Sequence, residues 1–321
     1  MQPTNTAEFQ TKDPVYQFAG PARWGRSWQA VCFAARISGL YVTDDWGKTW
    51  RSAYQTLSLT GPLPTLSVAV SPNPNQAPDV FAGYNGGLLR SLDGGHTWEN
   101  ISFPAPAPAI VALAAAPAAQ ETLLFAGTHE DGVFYSSDHG AHWKTGNLGL
   151  IDMNVLCLGT SPDFAAEPVI FAGTQSGLFV SRNAGRSWQA VDLPVGYEAV
   201  ISLALSPHFA EDDTLLAGTE TRGLLCSQDR GAHWHSLGQP VLSNAVDQIL
   251  LSPNYPREPR LLVLHDGALF VSDDAGAVWK RWYEPSLENE AATAVLAPRG
   301  LGTGAPLWLG LEDGQTIRMQ V

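Results

Sequence analysis

The chain runs to 321 residues with 45% hydrophobic content, enough to bury a sizeable core, and is only 15% charged against about 25% in an average soluble domain. Eighteen Lys and Arg stand against 31 Asp and Glu, and the resulting charge of −13 disfavours nucleic acid and anionic membrane surfaces as partners. No apolar run approaches the ~20 residues of a membrane span, no basic-then-apolar leader opens the chain, and Cys32, Cys157 and Cys226 are too few and scattered for a disulfide framework, so a cytoplasmic protein with free thiols is expected.

In chain order, TNTAEFQ (4–10) is a short polar strand candidate and VYQFAG (15–20) an apolar one. WGRSW (24–28) lies too close to Trp50 to end a separate unit and is read as the loop between the first two strands. One phrase then recurs: an apolar segment ending near Ala-Gly-Thr, a short loop, a second apolar segment, and S-x-D-x-G-x-x-W. It appears over 32–50, 80–98, 124–143, 170–188, 215–234 and 261–279. Its closing tryptophans, Trp50, Trp98, Trp143, Trp188, Trp234 and Trp279, are spaced 48, 45, 45, 46 and 45 residues apart. Regular spacing of this length signals a repeat architecture.

Each unit holds four strand-like runs, which in the third are 109–117, 122–128, 132–137 and 142–147, separated by Pro, Gly, Asp and Asn clusters. Four-stranded antiparallel units repeated around a ring make a β-propeller. After Trp279 the chain supplies 291–298, 306–313 and 315–321, three strands of a seventh unit. The expected fold is therefore all-β, one seven-bladed propeller over residues 1–321, with the strand at 4–10 completing the last blade.

In the recurring phrase the carboxylate (Asp45, Asp93, Asp138, Asp229, Asp274) is expected to accept N–H groups of its own turn. Asn183 keeps that acceptor without the charge. The glycine permits positive φ, and the tryptophan buries an apolar face between sheets. The phrase resembles the Asp-box, or BNR repeat, of the sialidase-like propeller superfamily, and its copies cover nearly the whole chain. The unadorned repeats are closest in style to the bacterial propellers around the photosystem II assembly and stability factors; sortilin-type receptors and xyloglucanases share the repeat but are larger. SPDF (161–164), SPHF (206–209) and SPNY (252–255) also look typical of bacterial members. The resemblance implies that the boxes are structural and lie between the third and fourth strands, away from any active site.

Meander geometry places first-to-second and third-to-fourth connections on one face. The second-to-third turns and the blade-linking loops fall on the other, where a site is expected. That face is read as acidic, with Glu130, Asp131, Glu220, Asp266, Glu312 and Asp313 on its turns, and Asp152, Glu198, Asp247 and Glu284 on its linkers. Solvated hairpin tips account for most such acids.

Sialidase activity would require converging arginines, a tyrosine–glutamate nucleophile and an F/Y-R-I-P sequence; the last is absent, and sialidase chemistry is set aside. The assembly-factor group generally carries a signal peptide and a basic patch, whereas no export signal is seen here and the chain is acidic overall. Histidines such as His96, His142 and His233 fall inside boxes, and no phosphate loop, nucleophile elbow or C-x-x-C occurs. Neither a metal nor a cofactor is expected.

The leading expectation is a non-enzymatic scaffold presenting blade-linking loops to a protein or glycan, with Glu198, Glu220, Asp247, Trp282, Tyr283 and Glu284 as candidate contacts. The segments 55–65 and 102–109 are further contact candidates. The alternatives are a glycan-active hydrolase or lyase using Glu198, Asp247 or Glu284, and a lectin without turnover.

Overall fold

A computed structural model of the chain describes residues 12–20, 31–71, 77–105, 108–117, 122–283, 287 and 290–321. Seven antiparallel sheets follow one another along it; among the described residues six have four strands and the last has three. Every sheet is a simple meander, so each blade is built from consecutive sequence. The innermost strands, beginning with Val15–Ala19 in blade 1 and ending with Ala292–Leu296 in blade 7, touch one another in succession, and the last touches the first. The molecule is thus a closed seven-bladed β-propeller. Among the described residues no helix is long and apolar enough to cross a membrane.

Blade 3 shows how sequence sets the strands. Its strands are Ala109–Pro117, Thr122–His129, Val133–Ser136 and Lys144–Thr145. The fourth is far shorter than the expected 142–147. His142 is held in the box by its N–H to Asp138 (2.9 Å), and Trp143 by its indole N–H to Gly140 O (3.0 Å). At the other end Asn147 Oδ1 takes the N–H of Val133 (2.8 Å) and replaces the ladder. Blade 7 comprises Ala292–Leu296, Pro306–Leu311 and Thr316–Gln320. The strand expected over 4–10 and the loop containing 24–28 lie outside the described residues.

Blade 7 meets blade 1 through Trp308, which is 1% exposed, lies 6.0 Å edge-on to Trp50 and fills the space beside Gly47. The same contact recurs around the ring: a Cβ on the box glycine would fall 2.8 Å from Phe33 at Gly95, 2.7 Å from Phe81 at Gly140 and 2.9 Å from Phe125 at Gly185. Each box glycine therefore seats on a large side chain of the preceding blade. The glycine inside the second strand has a matching role nearer the axis. A Cβ there would sit 2.5 Å from Val155 at Gly127, 2.4 Å from Val200 O at Gly173 and 2.3 Å from Val246 O at Gly218. A glycine within a strand marks close backbone approach, and here the next blade's innermost strand makes it.

Polar groups finish the junctions. Ser67 Oγ donates to Ile110 O (2.9 Å) and Ser202 Oγ to Val246 O (2.6 Å), while Gln248 both donates to Val295 O and accepts its N–H (2.8 Å each). The SPDF, SPHF and SPNY loops bury Phe164, Phe209 and Tyr255 against the neighbouring blade. Their leading serines are tied off by Glu167 O, Asp212 and Glu258. These loops are packing devices.

Candidate functional site

Two sets of backbone bonds define the faces. On one, the box turns donate to the first-to-second loops, as in Gly94 N–H to Pro78 O (3.2 Å) and Ala275 N–H to Pro259 O (2.8 Å). On the other, the second-to-third turns join the linkers entering and leaving the blade: Gly132 N–H reaches Met153 O and Glu220 N–H reaches Ala199 O (both 3.0 Å).

The hydroxyls and carboxylates of the box turns are internally satisfied, although the buried indole N–H groups of Trp50 and Trp279 take no partner among the described residues. In blade 2 the Ser91 hydroxyl donates to Asp93 Oδ1 (2.7 Å) and accepts Gly95 N–H (2.8 Å), while Asp93 Oδ1 takes the N–H groups of His96 and Thr97. Asn183 reproduces the pattern, accepting from Ser181 and from Ser187 N–H at 2.9 Å. The Thr49 hydroxyl and N–H draw Asp45 down to about 2, and the backbone N–H and ring of His233 do the same to Asp229. Carboxylates so occupied have little left for a ligand. Burial pushes the Cys157 thiol up to about 12, Cys226 up to about 11 and Cys32 further, so none is a nucleophile near neutral pH.

The linker face divides the expected site residues. Glu198 binds the turn of its own blade, taking Thr221 N–H at 2.7 Å and its hydroxyl at 2.9 Å. Asp152 does the same for Ser176 (2.8 and 2.7 Å), and Asp13 for Ser38 (2.8 and 2.7 Å). These acids pin turns. Glu220 is exposed at the tip of its turn. Glu284 lies outside the described residues.

Asp247 is not on a linker, as the sequence reading had it, but inside the innermost strand Val246–Leu251. In each blade this strand slips register by one residue near its start, a bulge that adds one unpaired residue: Tyr16, Leu66, Val111, Leu156, Ile201, Asp247 and Thr293. Six of these side chains are uncharged, and Asp247 is the carboxylate in the ring. Surrounding protein withdraws water from it and Asp266 adds a second negative charge, so its pKa is raised, with His265 partly offsetting this. His265 is 6% exposed, and its Nδ1 bonds Ala245 O at 2.8 Å. Its Nε2 faces Asp266 at 3.9 Å.

Trp282 and Tyr283 come together with Asp266 at a cavity of about 620 Å³ between the blade 6 turn and the linker to blade 7, with Leu269, Leu287 and Glu290 completing its wall. Trp282 is half-buried and donates its backbone N–H to Leu269 O (2.8 Å), while Tyr283 is 69% exposed. Of the ten large apolar side chains exposed among the described residues, six stand on blade-linking segments: Leu59, Leu148, Ile151, Tyr197, Val241 and Tyr283. Leu92 and Val278 belong to the box turns, and Leu148, though on a linker, lies beside the blade 4 box, its C=O accepting Trp188 N–H at 2.8 Å. Sequence reasoning missed Leu148 and Ile151, because an isolated apolar residue in a loop looks the same whether its side chain turns in, as Leu150 does, or out.

No protein-family model matches the chain. Over 122 residues it is 33% identical to a probable oligoxyloglucan-reducing end-specific xyloglucanase of Neosartorya fischeri, an alignment covering 36% of this chain and 14% of that protein. The fold is similar to that of YCF48 bound to D1 peptide, with TM-score 0.70 and 17% identity over 97% of this chain and 94% of that one. An ancestral GH74 enzyme gives TM-score 0.71 and 18% identity over 95% of this chain and 44% of that chain. The chain thus matches YCF48 along nearly its whole length, and the two enzymes over less than half of theirs. It is a seven-bladed propeller resembling both groups in fold.

Proposed function

We propose that the chain is a non-enzymatic binding scaffold whose blade-linking face receives a polypeptide segment. The observation that carries this reading is the uneven placement of exposed apolar side chains: five on linkers, leaving aside Leu148 beside the blade 4 box, against two on box turns. Aromatic and aliphatic groups surrounded by polar residues mark association surfaces, and loops on a rigid ring carry function without altering the scaffold. The full-length similarity to a propeller seen with a bound peptide supports it. The test is selection of binders from a phage-displayed random heptapeptide library, followed by affinity measurements on variants. Ile151→Ala with Tyr197→Ala should weaken selected peptides at least tenfold, whereas Leu92→Ala with Val278→Ala should leave them unchanged. Binders that follow the box-face pair instead would reverse the assignment.

A second reading, a glycan-active hydrolase, draws on the partial match to the xyloglucanase and on the Asp247–Asp266 pair, in which one carboxyl is held toward its protonated form. Release of reducing ends from a polysaccharide panel, abolished by Asp247→Asn, would favour it over the scaffold.

A further inference from the structure

The cavity between blades 6 and 7 differs in chemistry from the rest of the linker face. Glu198, Asp152 and Asp13 direct their oxygens into turns of their own blades. Asp266, whose Oδ2 accepts the Asn244 side-chain amide at 2.9 Å while Oδ1 takes no such bond among the described residues, lines with Glu290 an open volume of about 620 Å³ alongside the rings of Trp282 and Tyr283 and the apolar side chains of Leu269 and Leu287. Arg281 is the one cation among the described wall residues. Asp247, next to Asp266 and close enough to feel its charge, adds a further carboxylate on the axial side. Clefts of this size that combine apolar walls with a few placed polar groups hold small ligands or single anchoring residues.

We propose that this cavity takes the lysine or arginine side chain of the bound polypeptide, seated between the Asp266 and Glu290 carboxylates and the face of Tyr283. This rests on the scaffold reading and adds the chemistry of the partner. A long cationic side chain suits both kinds of wall: its methylene stem lies along Leu269 and Leu287, and its charged head meets carboxylates and an aromatic face. The Asp247 and Asp266 carboxylates repel one another, and an incoming cation offsets that repulsion. An anionic or purely aliphatic residue would leave it in place. The overall charge of −13 draws a basic segment to the surface before it docks. Tyr283 is exposed at the cavity wall, so apolar surface is available there to residues flanking the cation.

The experiment uses heptapeptides selected from the random library on the intact protein. They should be enriched in Lys or Arg at one position. Asp266→Asn combined with Glu290→Gln should weaken the selected peptides at least tenfold with the unfolding midpoint unchanged, and Tyr283→Leu should weaken them less. Replacing the peptide's Lys by norleucine, or its Arg by citrulline, should produce the same loss on the wild type and no further loss on the double variant. Peptides that respond to Ile151→Ala with Tyr197→Ala yet carry no basic residue, or whose affinity ignores Asp266→Asn with Glu290→Gln, would overturn the cation site and leave the scaffold reading standing. If no peptide binds the linker face, both fall.

Discussion

The two faces of the ring spend their polar and apolar groups in opposite ways. On the box face a hydroxyl, a carboxylate (an amide at Asn183) and a glycine close each turn on itself, and most of the tryptophans that follow are buried, to 3% exposure at Trp188. On the linker face the hydrogen-bonding acids also serve turns, but bulky side chains are left in water, to 92% exposure at Tyr197 and 79% at Ile151. Both faces help hold the blades, but the linker face also carries side chains that no packing contact of the ring requires. Surface of that kind is where binding is expected.

Substitutions at the blade junctions should give the largest effects and break the comparison most plainly. Trp188→Ala removes a side chain whose indole N–H donates to Gly146 O of the preceding blade, and should cost about 3–5 kcal/mol in urea denaturation. Gly218→Ala places a methyl 2.3 Å from Val246 O, a backbone atom that cannot swing aside, and should cost about 1–3 kcal/mol. Neither should change peptide affinity in the fraction that remains folded. The linker-face substitutions are the mirror image: Tyr197→Ala should move stability by less than about 0.5 kcal/mol while weakening selected peptides. A Tyr197→Ala protein as unstable as Trp188→Ala would mean that the exposed residues belong to the architecture after all.

Much of this was legible in the sequence because repetition supplies its own control. Six copies of the box, with the three strands that follow Trp279, set the blade count, and the recurrence of Asp, Gly and Trp set their roles, since a group that returns in blade after blade answers a common need. The glycine of Ala-Gly-Thr recurs as well, and its position inside a strand was the available signal for close approach of the next blade. The site was less legible for the same reason: function on a repeat scaffold sits in what is not repeated. The bulge that brings Asp247 to the axis depends on pairing between strands, and a one-residue slip leaves no trace in composition or alternation. Trp282 and Tyr283 stood out as aromatics in a linker, but their meeting with Asp266 depends on where the blade 6 turn folds back.

A smaller effect separates charge from geometry within the boxes. Asn183 shows that an amide oxygen can hold the turn. Asp93→Asn should therefore lose little, and Asp93→Ala, which strands the N–H groups of His96 and Thr97, should cost about 1 kcal/mol. The pH dependence follows from Asp45 and Asp229, whose folded pKa lies below the usual carboxylate value. Their contribution is present above that ordinary value and is lost as pH falls toward about 2. Acid denaturation profiles should show stability draining away below about pH 4. An Asp-to-Asn change at both positions should flatten that limb.

Asp247 carries the opposite sign and gives the finest discrimination between the faces. Its folded pKa is raised, so the folded state holds its proton more tightly than the unfolded chain does. The ionised form is therefore a destabilising charge at neutral pH, and that penalty disappears once pH falls below the ordinary carboxylate value of ~3.9, where both states are protonated. Asp247→Asn should leave stability at pH 7 unchanged or slightly higher, with the gain vanishing in acid, while Asp93→Asn moves the other way. If Asp247 contributes negative potential beside the cavity, the same substitution should weaken basic peptides, and wild-type binding should fall as acid protonates Asp247. His265 and Asp266 are the titratable groups coupled to Asp247, so the profile should be repeated in Asp266→Asn, where Asp247 protonates at lower pH and residual binding should persist further into acid. A carboxylate that costs stability and supports binding is the signature of a residue kept for a ligand, whereas loss of both on substitution would place Asp247 among the packing residues of the ring.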